Sequence, residues 1–127
     1  MKLYKIASSL FIALGILHAL AHIIGSLNPD KALIEVLNQM ADYKIQLFGE
    51  HDLLKFHTGF SLMMGFLLSA FGFQNLMTAK SINKNSLISI IIIAATALVL
   101  SIVYFHLLAT SFIFIAFVCY LLSYNKI

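Results

Sequence analysis

Long apolar runs separated by short polar segments dominate the chain. The first two cover about residues 6–27 and 53–77, and each is long enough to cross the hydrocarbon core of a bilayer, which takes ~20 helical residues. Residues 87–124 contain no charged side chain, and this segment is nearly twice as long as one span requires. We therefore divide it into spans 87–103 and 107–124, joined by a turn within 101–107. The pattern predicts an all-α integral membrane protein, a single domain of four transmembrane helices.

The segment after the first span predicts a short extra helix. Asn28 and Pro29 end the first apolar run, and Pro29 suits the first turn of a new helix. From Asp30 to Met40, apolar residues alternate with charged ones at helical spacing, which is typical of an amphipathic helix at the membrane surface. The stretch from there to Asp52 is predicted to be a polar loop.

Composition agrees with a membrane protein. Hydrophobic residues make up 61% of the 127-residue chain and charged residues 10%, with a mean hydropathy of +0.98. A soluble domain of this size could not bury so much apolar surface, so the lipid bilayer is the first expected partner. The net charge of +3 is small and dispersed, which argues against nucleic acid. A lone cysteine, Cys119, excludes an intrachain disulfide.

Charge placement predicts the orientation. Every acidic residue lies between Asp30 and Asp52, in the first loop, whereas lysines mark the N-terminus, the second loop (residues 78–86) and the C-terminus. Because lysines near span ends favour the cytoplasmic side, both termini are expected there, and the first loop with its amphipathic helix outside. A secretory signal peptide is the alternative for the first run, with Ala19 and Ala21 resembling a cleavage site. The apolar run continues past that point, which favours a retained helix.

This topology places all five histidines toward the outer side of the membrane. His18 and His22 lie four residues apart in the outward half of the first span, and His57 lies just inside the second. His106 falls at the predicted outer turn between the last two spans, beside Tyr104. We expect an outward-facing polar pocket whose candidate residues are His18, His22, His57, His106, Ser61 and Tyr104.

Glycines share the helix faces of these histidines. Gly15, His18, His22 and Gly25 recur at intervals of about one helical turn, as do His57, Ser61, Gly65, Ser69 and Gly72. Small residues at such spacing let helices approach closely in lipid. Gly15, Gly25, Gly65 and Gly72 are therefore predicted to be helix-packing positions.

Four functions remain open for the polar residues. The histidines can simply bond across helices, for example to Ser61. They can hold a metal or haem, with His18 and His22 the first candidates for a metal, although no metal-binding motif accompanies them. They can line a binding or catalytic site for a lipid-like molecule, with His57 or His18 as acid/base and Asp52 or Glu50 as its partner. A proton-relay or transport role is the fourth, disfavoured by the lack of ionisable residues in the inner halves.

The remaining polar and aromatic residues are interpreted as interfacial. Gln74 and Asn75 lie near the inner end of the second span, and Tyr43, Tyr104, Tyr120 and Tyr124 suit anchoring at the membrane surface. The sequence leaves open whether the protein is an enzyme and whether it binds a cofactor; haem or a transition metal is possible but not required. A homo-oligomer, a membrane partner protein and a small apolar ligand all remain candidate partners.

Three segments resemble a known group of proteins. LGILHALAHIIGSL in the first span, KFHTGFSLMMGFLLSAFG in the second and VYFHLLATSFIF in the last hairpin resemble small bacterial four-span proteins of the DoxX-like kind. The resemblance covers most of the chain. It implies a four-helix bundle in the bacterial cytoplasmic (inner) membrane, and for most members no established activity, so it assigns no catalytic residue. The function expected here is that of a membrane-embedded binding or accessory component.

Overall fold

Five helices and one small hairpin make up the structure, a computed structural model that describes residues 1–27, 29–46 and 49–126. In chain order the elements are α1 (Lys2–Leu27), α2 (Lys31–Asp42), β1 (Lys44–Gln46), β2 (Glu50–Asp52), α3 (Leu53–Thr78), α4 (Lys84–Tyr104) and α5 (Leu107–Tyr124). Helices α1, α3, α4 and α5 are long and apolar enough to cross a membrane, with mean hydropathies of 2.1, 1.4, 2.7 and 2.1. The helical architecture and four candidate spans agree with the sequence, and they indicate a multi-pass membrane protein.

Side-chain caps explain where three helices begin. The carboxylate of Asp30 accepts from the backbone N–H of Leu33 at the start of α2. Asn83 caps α4, and the ring of His106 caps α5 by accepting from the N–H of Ala109. Such caps satisfy N–H groups that have no partner in the first turn. The turn between α4 and α5 consists of Phe105 and His106, within the predicted interval 101–107.

A two-stranded hairpin replaces part of the predicted polar loop. Strands β1 and β2 are antiparallel, with Lys44 opposite Asp52, Ile45 opposite His51 and Gln46 opposite Glu50. Gly49 precedes β2 with a φ of +128°, a backbone conformation that residues with a Cβ rarely adopt. The loop prediction was wrong for these residues because strands of three residues are too short to produce a periodic pattern.

The chain divides into two compact units, residues 1–15 with 67–127 and residues 16–66. Helices α1 and α3 contribute residues to both, and the single-domain organisation stays a prediction. The first unit contains α4, α5 and the buried apolar core, which consists of Tyr4, Ala7, Phe11, Leu14, Ala79, Leu87, Ile90, Ala94, Ala109, Ile113, Ala116 and Tyr120. The second unit contains the end of α1, α2, the hairpin and the start of α3.

A buried polar cluster lies within the core of the first unit. The Ser8 hydroxyl donates to the Tyr4 carbonyl at 2.9 Å and lies 3.2 Å from the hydroxyl of Tyr120. The side-chain amide of Asn75 donates to the same hydroxyl at 3.1 Å. Asn75 and Tyr120 are both buried, so their assignment to the membrane interface was wrong. Because a buried polar group is costly without a partner, these side chains satisfy one another instead.

Helices α1 and α3 approach each other closely at Gly72, also within the first unit. A Cβ added there would lie 2.5 Å from the carbonyl oxygen of Ser8 and 2.8 Å from the backbone nitrogen of Ile12. Gly15 and Gly65 are buried as well. Gly25 differs, since a Cβ there would meet no described atom within 4 Å. The packing role predicted for Gly25 therefore has no counterpart among the described residues.

Apolar side chains cover much of the outer surface of the long helices. Leu107 is 82% exposed, Leu27 75% and Phe66 69%, among many others. A soluble monomer rarely leaves so much apolar surface in contact with water. The helices therefore have the surface expected of segments that face lipid acyl chains.

Candidate functional site

Two histidine rings face each other within the second unit. His22 lies one turn and a half before the end of α1, and His57 lies in the first turns of α3. Their ring centres are 5.9 Å apart, with an angle of 47° between the ring planes. The sequence spacing placed each histidine near the same predicted membrane depth, and the structure brings this pair together.

A cavity of about 520 Å³ opens beside the pair, also within the second unit. We call it the histidine cavity. Its lining comes from the ends of α1 and α3 and from α2, and consists of Ala21, His22, Ile23, Gly25, Ser26, Leu33, Leu37, Leu54, His57, Thr58 and Leu62. The volume is in the range of small-molecule sites, which combine mostly apolar walls with a few polar groups.

The amphipathic helix α2 forms one wall of this cavity. Its Leu33 and Leu37, four residues apart on one helical face, line the cavity opposite Leu54 and Leu62 of α3. The charged residues of α2 alternate with this face, as its amphipathic sequence predicts. The cavity thus has leucine walls and four polar side chains, which are the imidazoles of His22 and His57 and the hydroxyls of Ser26 and Thr58.

His18 lies one turn from His22 and makes a different contact. Its Nε2 lies 3.1 Å from the hydroxyl oxygen of Ser61, in a partly buried bond between α1 and α3. Neither residue lines the histidine cavity. His18 and Ser61 were predicted as pocket residues, and the structure instead places them in a contact between helices.

The other two candidates lie in the first unit. His106 serves as the cap of α5, its Nδ1 accepting from the N–H of Ala109 at 3.5 Å. Tyr104 is the last residue of α4 and is 76% exposed. Neither lines the histidine cavity, which belongs to the second unit. A helix cap was not foreseen for His106 because histidine is not among the preferred cap residues.

Asp52, the predicted partner of a catalytic histidine, has another role. Its carboxylate accepts from the backbone N–H of Lys55 at 2.7 Å and pairs with the Lys55 ammonium at 3.3 Å. The Lys55 backbone bond, helped by the charges of Lys55 and Lys44 against a smaller desolvation effect, holds the pKa of the Asp52 carboxyl below its usual range. Asp52 therefore stabilises the start of α3.

Metal ligation by a larger cluster finds no support in the described part of the chain. There, no group of three or more His, Cys, Asp or Glu side chains is close enough to hold a metal ion. The pair His22 and His57 is the arrangement that could supply two imidazole ligands. It differs from the pair His18 and His22 predicted from sequence, because His18 contacts Ser61.

Comparison of the chain with protein-family models, with curated proteins and with solved structures gives no match. The resemblance to DoxX-like proteins therefore stays a prediction. Functional inference rests on the chain's own geometry.

Proposed function

We propose that this protein is a multi-pass protein of the bacterial cytoplasmic membrane that binds a small amphiphilic, lipid-like molecule in the histidine cavity. The pairing of His22 and His57 in the lining of a cavity with leucine walls is the observation that carries this proposal. Both termini are cytoplasmic in this proposal. Its support is the placement of every acidic residue between Asp30 and Asp52 and of lysines at both termini and in the second loop.

The chemistry of the lining favours an amphiphile. Imidazole and hydroxyl groups can donate and accept hydrogen bonds, so His22, His57, Ser26 and Thr58 suit a polar head. Leucine side chains from α2 and α3 suit an apolar body, whose transfer from water contributes about 25 cal/mol per Å². A purely polar ligand would leave these walls unused, and a purely apolar one would leave the imidazoles unpaired.

Binding is better supported than catalysis. An acid/base mechanism at His57 would need a group that orients the imidazole. Asp52, a sequence candidate for that role, is engaged by Lys55, and among the described residues no carboxylate forms an ion pair with His57. The cavity therefore offers recognition groups rather than an assembled catalytic pair.

A cofactor between the two rings is the second candidate. Two imidazoles that share a metal ion at ~2.0–2.1 Å from each nitrogen would have ring centres about 5–6.5 Å apart, a range that includes the 5.9 Å seen here. A metal ion would need further ligands, since the described residues hold no group of three or more ligand side chains. Haem would need no further protein ligand but would need room for its macrocycle between the two rings, so a cofactor stands second to the amphiphile.

The test is to identify what purifies with the protein. The wild-type protein and a His57→Ala variant are purified in detergent, extracted and compared by mass spectrometry for bound small molecules. His51→Ala is the matched control, because His51 is exposed in the hairpin and does not line the histidine cavity. We expect His57→Ala to reduce the bound amphiphile about fivefold or more, the loss that corresponds to one hydrogen bond. His51→Ala should leave it unchanged.

Three results would contradict the proposal. An identical ligand profile in wild type and His57→Ala would remove His57 from the site. An equal loss in His51→Ala would show that the effect is not local to the cavity. A haem Soret band, or a stoichiometric amount of zinc, copper or iron that disappears in His57→Ala, would replace the amphiphile with the cofactor.

A further inference from the structure

A second cavity lies in the first unit, between the end of α3 and the start of α4. Its volume is about 420 Å³. We name it the α3–α4 groove. Six of its ten lining residues are polar: Gln74, Asn75, Thr78, Ser81, Ser86 and Ser89. Its apolar remainder includes Phe71, Ile90 and Ile93. The proposed ligand site at the histidine cavity uses none of these residues.

The charges around this groove are all positive. No aspartate or glutamate side chain occurs in residues 1–15 or 67–127, so lysines are the charged side chains of the first unit. Lys80 lies in the connection between α3 and α4, next to the lining residue Ser81, and Lys84 is the first residue of α4, two residues before the lining residue Ser86. Neither lysine lines the groove itself, and Lys84 Nζ lies 5.6 Å from the ring centre of Tyr124 of α5, a cation–π contact.

Some polar groups of the groove are free to bind a ligand. The hydroxyls of Thr78, Ser81 and Ser89 already donate to backbone carbonyls of the preceding turn. Among the hydrogen bonds of the described residues, none involves the side-chain amide of Gln74 or the hydroxyl of Ser86. These two groups and the two ammonium groups are donors, which suits an anionic ligand with several acceptor oxygens.

The apolar side chains give the groove a direction. Phe71 precedes Thr78 by seven residues, so it lies ~10 Å farther along α3, toward the middle of the candidate span. Ile90 and Ile93 are displaced toward the middle of α4 in the same way. A ligand in the groove thus meets positive charge at the helix ends and apolar side chains deeper in the helical segment.

From this arrangement we infer that the α3–α4 groove binds the headgroup of an anionic phospholipid. Its phosphate accepts hydrogen bonds from Gln74 and Ser86, and the first carbons of its acyl chains lie along Phe71 and Ile93. Lys80 and Lys84, beside the lining residues in the chain, attract its negative charge. The source of the ligand is the surrounding leaflet, because α3 and α4 are both candidate membrane spans. Juxtamembrane lysines are known to attract anionic lipids by about 1 kcal/mol each.

Lipid counting by native mass spectrometry tests this inference. The purified protein is titrated in detergent with phosphatidylglycerol or, separately, with phosphatidylcholine. We expect one phosphatidylglycerol to bind preferentially, and the Lys80→Gln/Lys84→Gln variant to weaken its binding about thirtyfold. Gln74→Leu, which leaves the charge unchanged, should weaken it about fivefold, in keeping with the loss of one hydrogen bond.

The matched control is Lys2→Gln/Lys5→Gln. It removes the same charge from exposed lysines of the same unit that are remote in the chain from every lining residue of the groove, and it should change phosphatidylglycerol binding less than twofold. Equal weakening by both double variants would attribute binding to overall charge and overturn the inference. So would unchanged binding in Lys80→Gln/Lys84→Gln, or equal binding of the two lipids by the wild type. Displacement of phosphatidylglycerol by millimolar inorganic phosphate would assign the groove to free phosphate rather than to lipid.

Discussion

Histidines of the second unit differ in what their rings contact, and those contacts determine their roles. His22 and His57 face each other beside the histidine cavity, whereas His18 bonds to Ser61. Sequence spacing was sufficient to place His18 and His22 on one face of α1, since they lie four residues apart. Which ring pairs with which depends on helix rotation, which the sequence pattern does not contain.

Buried polar residues were the main error at the residue scale. Asn75 and Tyr120 were assigned to the membrane interface because both lie near the ends of spans. In the structure each is buried and bonded to the other, with Ser8 completing the cluster. Partners separated by 45 and 112 residues in the chain leave no local signal that a single sequence could reveal.

Gly72 lies where α1 and α3 approach each other closely. We expect Gly72→Ala to lower the midpoint of thermal unfolding, because its Cβ would lie 2.5 Å from the Ser8 backbone and force α1 and α3 apart. Overpacking costs ~1–3 kcal/mol, partly offset by the ~1 kcal/mol that alanine gains over glycine in a helix. Circular dichroism of the protein in detergent measures the midpoint.

The same substitution in open space serves as the control. Gly59 belongs to the same helix, and a Cβ there would meet no described atom within 4 Å, so Gly59→Ala should leave the midpoint unchanged or raise it. If Gly72→Ala proved as stable as Gly59→Ala, the close approach of α1 and α3 at Gly72 would be refuted.

At the scale of elements, long apolar runs were informative and short elements were not. The four candidate spans and α2 follow from runs and amphipathic spacing that extend over several turns. The exact starts of α2, α4 and α5 were not predictable from these runs. They depend on the capping side chains of Asp30, Asn83 and His106, each of which accepts from a backbone N–H in the first turn of its helix. The hairpin of β1 and β2 was missed because each strand has three residues.

The start of α3 depends on a titratable group. The pKa of Asp52 is lowered in the folded protein, chiefly by the Lys55 N–H, so its carboxylate stabilises the first turn above the ordinary pKa of an aspartate. This contribution disappears as the pH falls through the lowered value, below 3.8. We therefore expect hydrogen exchange in the first turn of α3 to accelerate as the pH is lowered from about 5 to about 2, after correction for the intrinsic rate.

The Asp52→Asn variant removes the negative charge of residue 52 but keeps an oxygen that can cap α3. Asparagine can still accept from the Lys55 N–H, so the turn should remain protected while its acid-induced opening is largely lost. Asp52→Ala should expose the turn at every pH. Identical pH profiles for the wild type and Asp52→Asn would show that the Asp52 carboxylate does not govern the start of α3.

Across the whole molecule, acidic and basic side chains are distributed unevenly. The carboxylate side chains all lie between Asp30 and Asp52, the segment that contains α2, and the first unit carries only lysines as charged side chains. Composition and apolar runs were enough to predict a membrane protein with four helices. Neither could establish the family, since no relative matches the chain, nor the ligand, which depends on the shapes of the cavities.

The central claim is a four-span protein with its first loop and histidine cavity outside and its second loop inside. Single cysteines at Asn38 of α2 and Asn85 of α4, both exposed, test it in a Cys119→Ser background. Asn85 is chosen over Asn83 because Asn83 caps α4. With a membrane-impermeant maleimide, Asn38→Cys should be labelled in intact cells and Asn85→Cys only after permeabilisation. Labelling of both cysteines in intact cells, or of neither, would contradict the topology and, with it, an outward-facing ligand site.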